Sequence, residues 1–142
     1  GNSSSYYHLK CSSSGVKSLE KSIAVLGDLT IQDNAQLDVT TSSYSISIYG
    51  NWTNTSSQAL VERNGTVAFV GSSTQTITAS TIGTETFNNL RIDKTDTLNT
   101  VILKNNISAA NTLTLRKGGL ILNTDTLFLQ NASPTAIVRD SG

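Results

Sequence analysis

The chain has 142 residues, which is enough for one domain with a sizeable apolar core. Ten basic and ten acidic residues cancel, so the net charge is zero. The basic residues are scattered, and this argues against binding to nucleic acid or to an anionic membrane surface, both of which need clustered Lys and Arg.

The N-terminal half of the chain alternates apolar and polar residues over short segments. Turn residues such as Gly27-Asp28, Asp33-Asn34 and Gly50-Asn51 separate these segments. Alternation with a period of two places the apolar side chains on one face of an extended strand. The pattern therefore predicts short strands at residues 23–25, 29–31, 37–39 and 45–48.

The C-terminal half has the same pattern, and the stretch "LTLRKGGLILNTDTLFL" at 113–129 shows it best. Three pairs of leucines occur there, each pair split by one residue, and Leu122 is expected to point inward. Gly118-Gly119 and two further turns argue against a helix. The predicted strands are at 101–103, 113–115, 120–122, 127–129 and 136–138.

Such short strands cannot bury their leucines alone and must pair with neighbouring units, as repeat proteins do. The predicted fold is all-β, a parallel β-solenoid whose coils contain about three short strands. An antiparallel β-sandwich is the alternative, because the same alternation permits it.

A longer internal repeat links "YYHLK" at 6–10 with "FNNLR" at 87–91. The offset of about 81 residues would be the period of a repeated module. The chain is therefore predicted to be a single repetitive β domain over 1–142. Its two copies would span 6–86 and 87–142, and the second copy would be incomplete.

Residues capable of chemistry are few. His8 is the only histidine and Cys11 the only cysteine, so a histidine-dependent triad, a histidine-rich metal site and an internal disulfide bond are not expected. Cys11 is expected to fill apolar space.

We predict no catalytic residue, metal site or cofactor, and no membrane span. Carboxylates that could converge are Asp28, Asp33, Asp38, Asp93 and Asp96, and each also suits a turn.

Two surface features suggest binding functions. Trp52 in "GNWTN" is a candidate for stacking on a sugar ring, although an aromatic residue at a coil corner also fits the pattern. Thr-x-Thr pairs are typical of ice-binding β-helices, but here the pairs are unevenly spaced and do not keep one row on one face. The pairs are at 76–78, 84–86, 95–97, 112–114 and 124–126.

The stretch "NGTVAFVGSSTQTITA" at 64–79, followed by "FNNLRID" at 87–93, resembles the repeat of large secreted surface proteins of Bacteroidota. The resemblance implies a β-solenoid stalk in an extracellular, cell-surface setting, often with export by a C-terminal signal. No such C-terminal domain is recognised, so we expect a fragment of a longer polypeptide. The family carries O-glycans on Asp-Ser/Thr-aliphatic tripeptides, which here implies Thr97 and Thr126 as modified residues.

The sequence therefore favours a non-catalytic stalk or adhesin segment. Its expected partners are neighbouring modules of the same polypeptide or filament, and possible further partners are surface glycans. The alternatives are a carbohydrate-binding module, a β-helix enzyme acting on polysaccharides and an ice-binding protein.

Overall fold

Strands separated by turns make up the described part of the chain. The computed structural model describes residues 3–80 and 85–140, in which every strand pair is parallel and no helix occurs. The strands, in chain order, are β1 (Ser4–Tyr6), β2 (Leu9–Cys11), β3 (Gly15–Ser18), β4 (Ile23–Val25), β5 (Leu29–Ile31), β6 (Ala35–Asp38), β7 (Ile46–Ile48), β8 (Trp52–Asn54), β9 (Thr66–Gly71), β10 (Gln75–Thr78), β11 (Glu85–Lys94), β12 (Thr100–Leu103), β13 (Ile107–Lys117), β14 (Gly119–Ile121), β15 (Leu127–Leu129) and β16 (Ile137–Arg139).

These strands wind into a β-solenoid of about six turns with three faces. The first face contains β1, β4, β7, β9, the second half of β11, the second half of β13, and β16. The second face contains β2, β5, β8, β10, β12 and β14. On the third face β3 pairs with β6, and β15 pairs with the first half of β13, which pairs with the first half of β11. The predicted parallel solenoid is confirmed, and the antiparallel sandwich is wrong.

The coils differ in length. Ser4 pairs with Ile23 in the first coils, whereas Gln75 pairs with Val101 further along, so the later coil takes up more of the chain. The long internal repeat does not follow the coils, because Leu9 lies on the second face and its counterpart Leu90 on the first. The repeating unit of the structure is therefore one coil, and corresponding segments of the two predicted copies lie on different faces.

The core is a column of inward side chains stacked from coil to coil. On the first face Ile23, Ile46 and Val67 are consecutive pair partners, and all three are buried. Aromatic rings fill the middle of the column, where Phe87 meets both Trp52 and Phe69 edge to face, with ring centroids 5.2 and 6.4 Å apart. Contacts of this kind supply most of the stabilisation that a short strand lacks by itself.

Cys11 belongs to this core and is 6% exposed, as predicted for an apolar filler. Burial raises the pKa of its thiol. Since a thiolate is the reactive form, the environment of Cys11 favours an inert thiol.

Glycines permit the tight corner between the first and second faces. Gly50 N–H donates to the Gly27 carbonyl oxygen at 3.0 Å, so successive coils touch backbone to backbone. A Cβ at Gly50 would come within 2.5 Å of that oxygen, and one at Gly27 within 2.7 Å of the Tyr7 oxygen. A larger residue would therefore separate the coils at this corner.

We expect Ile48→Ala to lower the free energy of unfolding by about 2 to 5 kcal/mol, because Ile48 is fully buried between Val25 and Phe69 and would leave a cavity. Urea unfolding provides the measurement. The neighbouring change Ser47→Ala, at an outward position of the same strand, should stay within about 0.5 kcal/mol of the native value. Equal losses at the two positions would contradict the inward assignment of Ile48.

Candidate functional site

The five predicted carboxylates do not converge. Asp28 Oδ1 accepts from Asn51 N at 2.7 Å, Asp38 pairs with Arg63 at 2.9 Å, and Asp96 closes a turn through Leu98 N at 2.8 Å. Asp33 accepts from Gln32 Nε2, and Asp93 pairs with Arg91 and Arg116. Each carboxylate thus has a local structural partner. Within residues 3–80 and 85–140, no three His, Cys, Asp or Glu side chains are placed to hold a metal ion.

His8 lies at the corner between the first two faces. Its Nδ1 accepts a hydrogen bond from Asp28 N at 2.9 Å, and its ring meets Tyr7 edge to face. This contact joins the first coil to the second and occupies the nitrogen that faces the protein.

Trp52 is fully buried, so its ring has no face to offer to a sugar, and the predicted stacking role is wrong. In the sequence, Trp52 lies among the turn residues of "GNWTN". In the structure it is an inward residue of β8, in register with Leu29 below it and Ile77 above it.

Glu85 is a buried acid that the sequence pattern did not single out. It is 2% exposed, and its carboxylate accepts from Trp52 Nε1 at 3.2 Å, Asn54 Nδ2 at 2.7 Å and Leu60 N at 2.8 Å. Burial raises the pKa of Glu85, against the opposing effect of these three donors. One signal was present, because Glu85 stands two residues before Phe87, at an inward position of the alternation.

Lys94 is a second buried charge, 2% exposed. Its Nζ donates to the Val70 oxygen at 2.8 Å and to Gln75 Oε1, while Gln75 Nε2 donates to the Ile48 oxygen at 2.9 Å. This chain of hydrogen bonds crosses three coils. Burial lowers the pKa of Lys94 to about 8.

Thr97 and Thr126, the predicted glycosylation residues, are both exposed. Thr97 lies in the turn between β11 and β12, and Thr126 immediately precedes β15. Both positions are accessible, and their modification remains a prediction.

The Thr-x-Thr pairs are distributed over different parts of the solenoid. Thr76 and Thr78 point outward on the second face, and Thr114 lies on the first face. The pairs at 95–97 and 124–126 lie at least partly in turns, and Thr84 lies outside the described residues. A different row, formed by Thr30, Thr53 and Thr78, stacks outward on the second face.

Comparisons with protein-family models, curated proteins and solved structures gave no match to this chain. The β-solenoid fold is therefore the firmest basis for an argument about function. No helix in the described part of the chain has the length and apolarity needed to cross a membrane.

The C-terminal end of the column is apolar and incompletely covered. We define it as Leu120, Leu122, Leu127, Leu129 and Ile137. Three of these leucines pack against the core but are only partly buried, while Leu122 is 38% and Ile137 59% exposed. The expected burial of Leu122 is thus wrong for this chain, because no later coil of the described part covers it.

The N-terminal end is mixed in character. The inward positions of its first coil include Ser4 and Lys17 as well as the apolar Leu9 and Cys11. An apolar end of a stacked column becomes buried when a neighbouring repeat covers it. The C-terminal end is therefore the candidate contact site of this chain.

The free energy of unfolding should rise by about 3 kcal/mol between pH 8 and pH 10.5 through Lys94. The unfolded chain keeps this proton up to pH 10.5, whereas the folded chain releases it near pH 8. The free-energy cost of burying the charged form of Lys94 therefore disappears across this window. Urea unfolding at several pH values measures the effect.

Lys94→Met should remove this rise, and the exposed Lys104→Met should retain it. An unchanged pH dependence in the Lys94→Met variant would contradict the assignment.

Proposed function

We propose that this chain is a non-catalytic structural segment, a stalk or adhesin module, of a longer extracellular polypeptide. The observation that carries the proposal is the column of stacked side chains that ends at the apolar C-terminal end. A further coil of the same polypeptide would bury these residues against its own inward side chains. Each added coil would lengthen the rod without a separate core.

The dimensions suit a spacer. Neighbouring parallel strands lie about 4.8 Å apart, so six turns extend the rod by roughly 29 Å. The first two faces carry ladder hydrogen bonds along the whole solenoid axis, so the bonds of both faces would share a force applied between the ends at each junction between coils.

Side chains at a corner reinforce this continuity. Asn131 Nδ2 donates to Asn111 Oδ1 at 3.2 Å, Asn111 Nδ2 donates to Asn89 Oδ1 at 2.8 Å, and Asn89 Nδ2 donates to the Asn64 oxygen at 3.1 Å. This asparagine ladder joins four successive coils. It supports a mechanical role, because it couples these four coils outside the apolar column.

The resemblance to Bacteroidota surface repeats implies surface location and glycosylation, and the exposure of Thr97 and Thr126 makes both hydroxyls accessible for modification. On intact cells of the source organism, brief protease treatment should release peptides of this chain. Peptides containing Thr97 or Thr126 should carry added sugar mass by mass spectrometry. Release only after cell lysis would overturn the surface assignment, and unmodified peptides would overturn the glycosylation.

The role of the C-terminal end can be tested with Leu122→Asp in two contexts. In the isolated chain the effect on stability should be below about 1 kcal/mol, because Leu122 is already 38% exposed. In the natural longer polypeptide it should exceed about 2 kcal/mol, because a covering coil would bury an unpaired charge.

Urea unfolding measures the free energy of unfolding in both contexts. The outward change Thr114→Asp is the control and should be mild in each. A small effect of Leu122→Asp in both contexts, or a natural polypeptide without a following coil, would overturn the proposal.

A further inference from the structure

An open groove with a volume of about 490 Å³ runs along the corner between the second and third faces. It crosses three successive coils in the N-terminal half of the solenoid, and five of its seven lining residues have hydroxyl or amide side chains. The lining residues are Ser14, Gly15, Val16, Asn34, Gln36, Ser57 and Gln58.

The groove lies where the third coil leaves the ladder. β3 and β6 pair from Gly15 to Ser18, whereas residues 55–60 of the next coil form no strand, and pairing resumes only at the bridge between Asp38 and Val61. This unpaired segment forms one side of the groove. Opposite it, Gly15 leaves open space, since a Cβ there would meet no atom within 4 Å.

Hydrogen bonds hold the unpaired segment 55–60 in place. Ser56 Oγ donates to the Ala35 oxygen at 2.6 Å, and Asn54 Nδ2 donates to the Gln58 oxygen at 3.0 Å. Asn54 is itself held by Glu85 at 2.7 Å. The buried acid thus fixes one side of the groove, and a preformed site loses less entropy when a ligand binds.

The groove is uncharged and rich in hydroxyl and amide groups. Asn34 Oδ1 accepts from Ser57 Oγ at 2.7 Å, and Gln36 Nε2 donates to the Ala59 oxygen at 3.2 Å. These bonds leave the Asn34 Nδ2 donors and the Gln36 Oε1 acceptor available to a ligand. The Gln58 side chain forms no hydrogen bond within residues 3–80 and 85–140 and is also available. Val16, 56% exposed, adds one apolar contact. Groups that both donate and accept match the hydroxyls of a neutral sugar.

The spacing of these groups defines the shape of the ligand. Ser14, Asn34 and Ser57 occupy the same corner of three consecutive coils, about 4.8 Å apart. This distance is close to the length of one hexose unit in an extended chain. We propose that the groove binds a neutral oligosaccharide lying along the solenoid axis, with one sugar residue facing each coil.

The test is titration of the purified, isotope-labelled chain with cellotriose, mannotriose, maltotriose and chitotriose, followed by amide NMR shifts. At least one neutral trisaccharide should give saturable shifts centred on residues 13–16, 34–36 and 57–58. Trigalacturonate should bind more weakly than the preferred neutral sugar, because no basic residue lines the groove. Saturable shifts centred elsewhere, stronger binding of trigalacturonate, or no shifts at millimolar sugar would overturn the proposal.

Matched variants locate the contact. Gln58→Ala should weaken binding about 2- to 10-fold, the loss expected for one hydrogen bond, whereas Gln130→Ala, another exposed glutamine, should not. Asn34→Gly should also weaken binding, and Asn123→Gly should not. Both asparagines are exposed and have positive φ, 58° and 54°, so glycine fits each backbone equally well. Native affinity in both groove variants would refute the site, while the stalk proposal would stand or fall on its own tests.

Discussion

In-register parallel pairing of like side chains is the interaction on which this structure depends. A three-residue strand such as β4 buries little by itself, but Val25 stacks between Tyr6 and Ile48 while its backbone pairs on both sides. Apolar contact and ladder hydrogen bonds therefore form together. Because every coil repeats this arrangement, the corners must be tight enough to keep strands in register. Gly27 and Gly50 meet that requirement where backbones touch.

The two buried charges lie where the apolar column is interrupted. Glu85 receives three donors from Trp52, Asn54 and Leu60 of the preceding coil, and Lys94 reaches Val70 and Gln75. Burying such groups costs free energy, and the geometry of their partners offsets part of that cost. Glu85 has a second effect, because it holds Asn54 and thereby the unpaired segment 55–60 of the third coil. A core residue thus shapes a surface groove.

Faces and corners of the solenoid have different roles. The faces carry the repeated pairing, so they tolerate little variation in length. The corners accept loops of different length without disturbing that pairing, since four residues, 19–22, join β3 to β4 and seven, 39–45, join β6 to β7. Binding groups are therefore expected at corners, and contacts between modules are expected at the ends. The groove and the apolar C-terminal end follow this division.

The sequence by itself determined many of the strands and several of the inward positions, because alternation with a period of two is a local property. Ile23, Val25, Ile46 and Ile48 were assigned correctly in this way. Which strands share a face was decided only by the tertiary structure, since coils of unequal length leave no constant period to read. For the same reason, the contact between Trp52 and Glu85, which are distant in the chain, could not be predicted from the sequence. Nor could the groove that Ser14, Asn34 and Ser57 share. Side chains from different coils become neighbours only when the chain has wound back over itself.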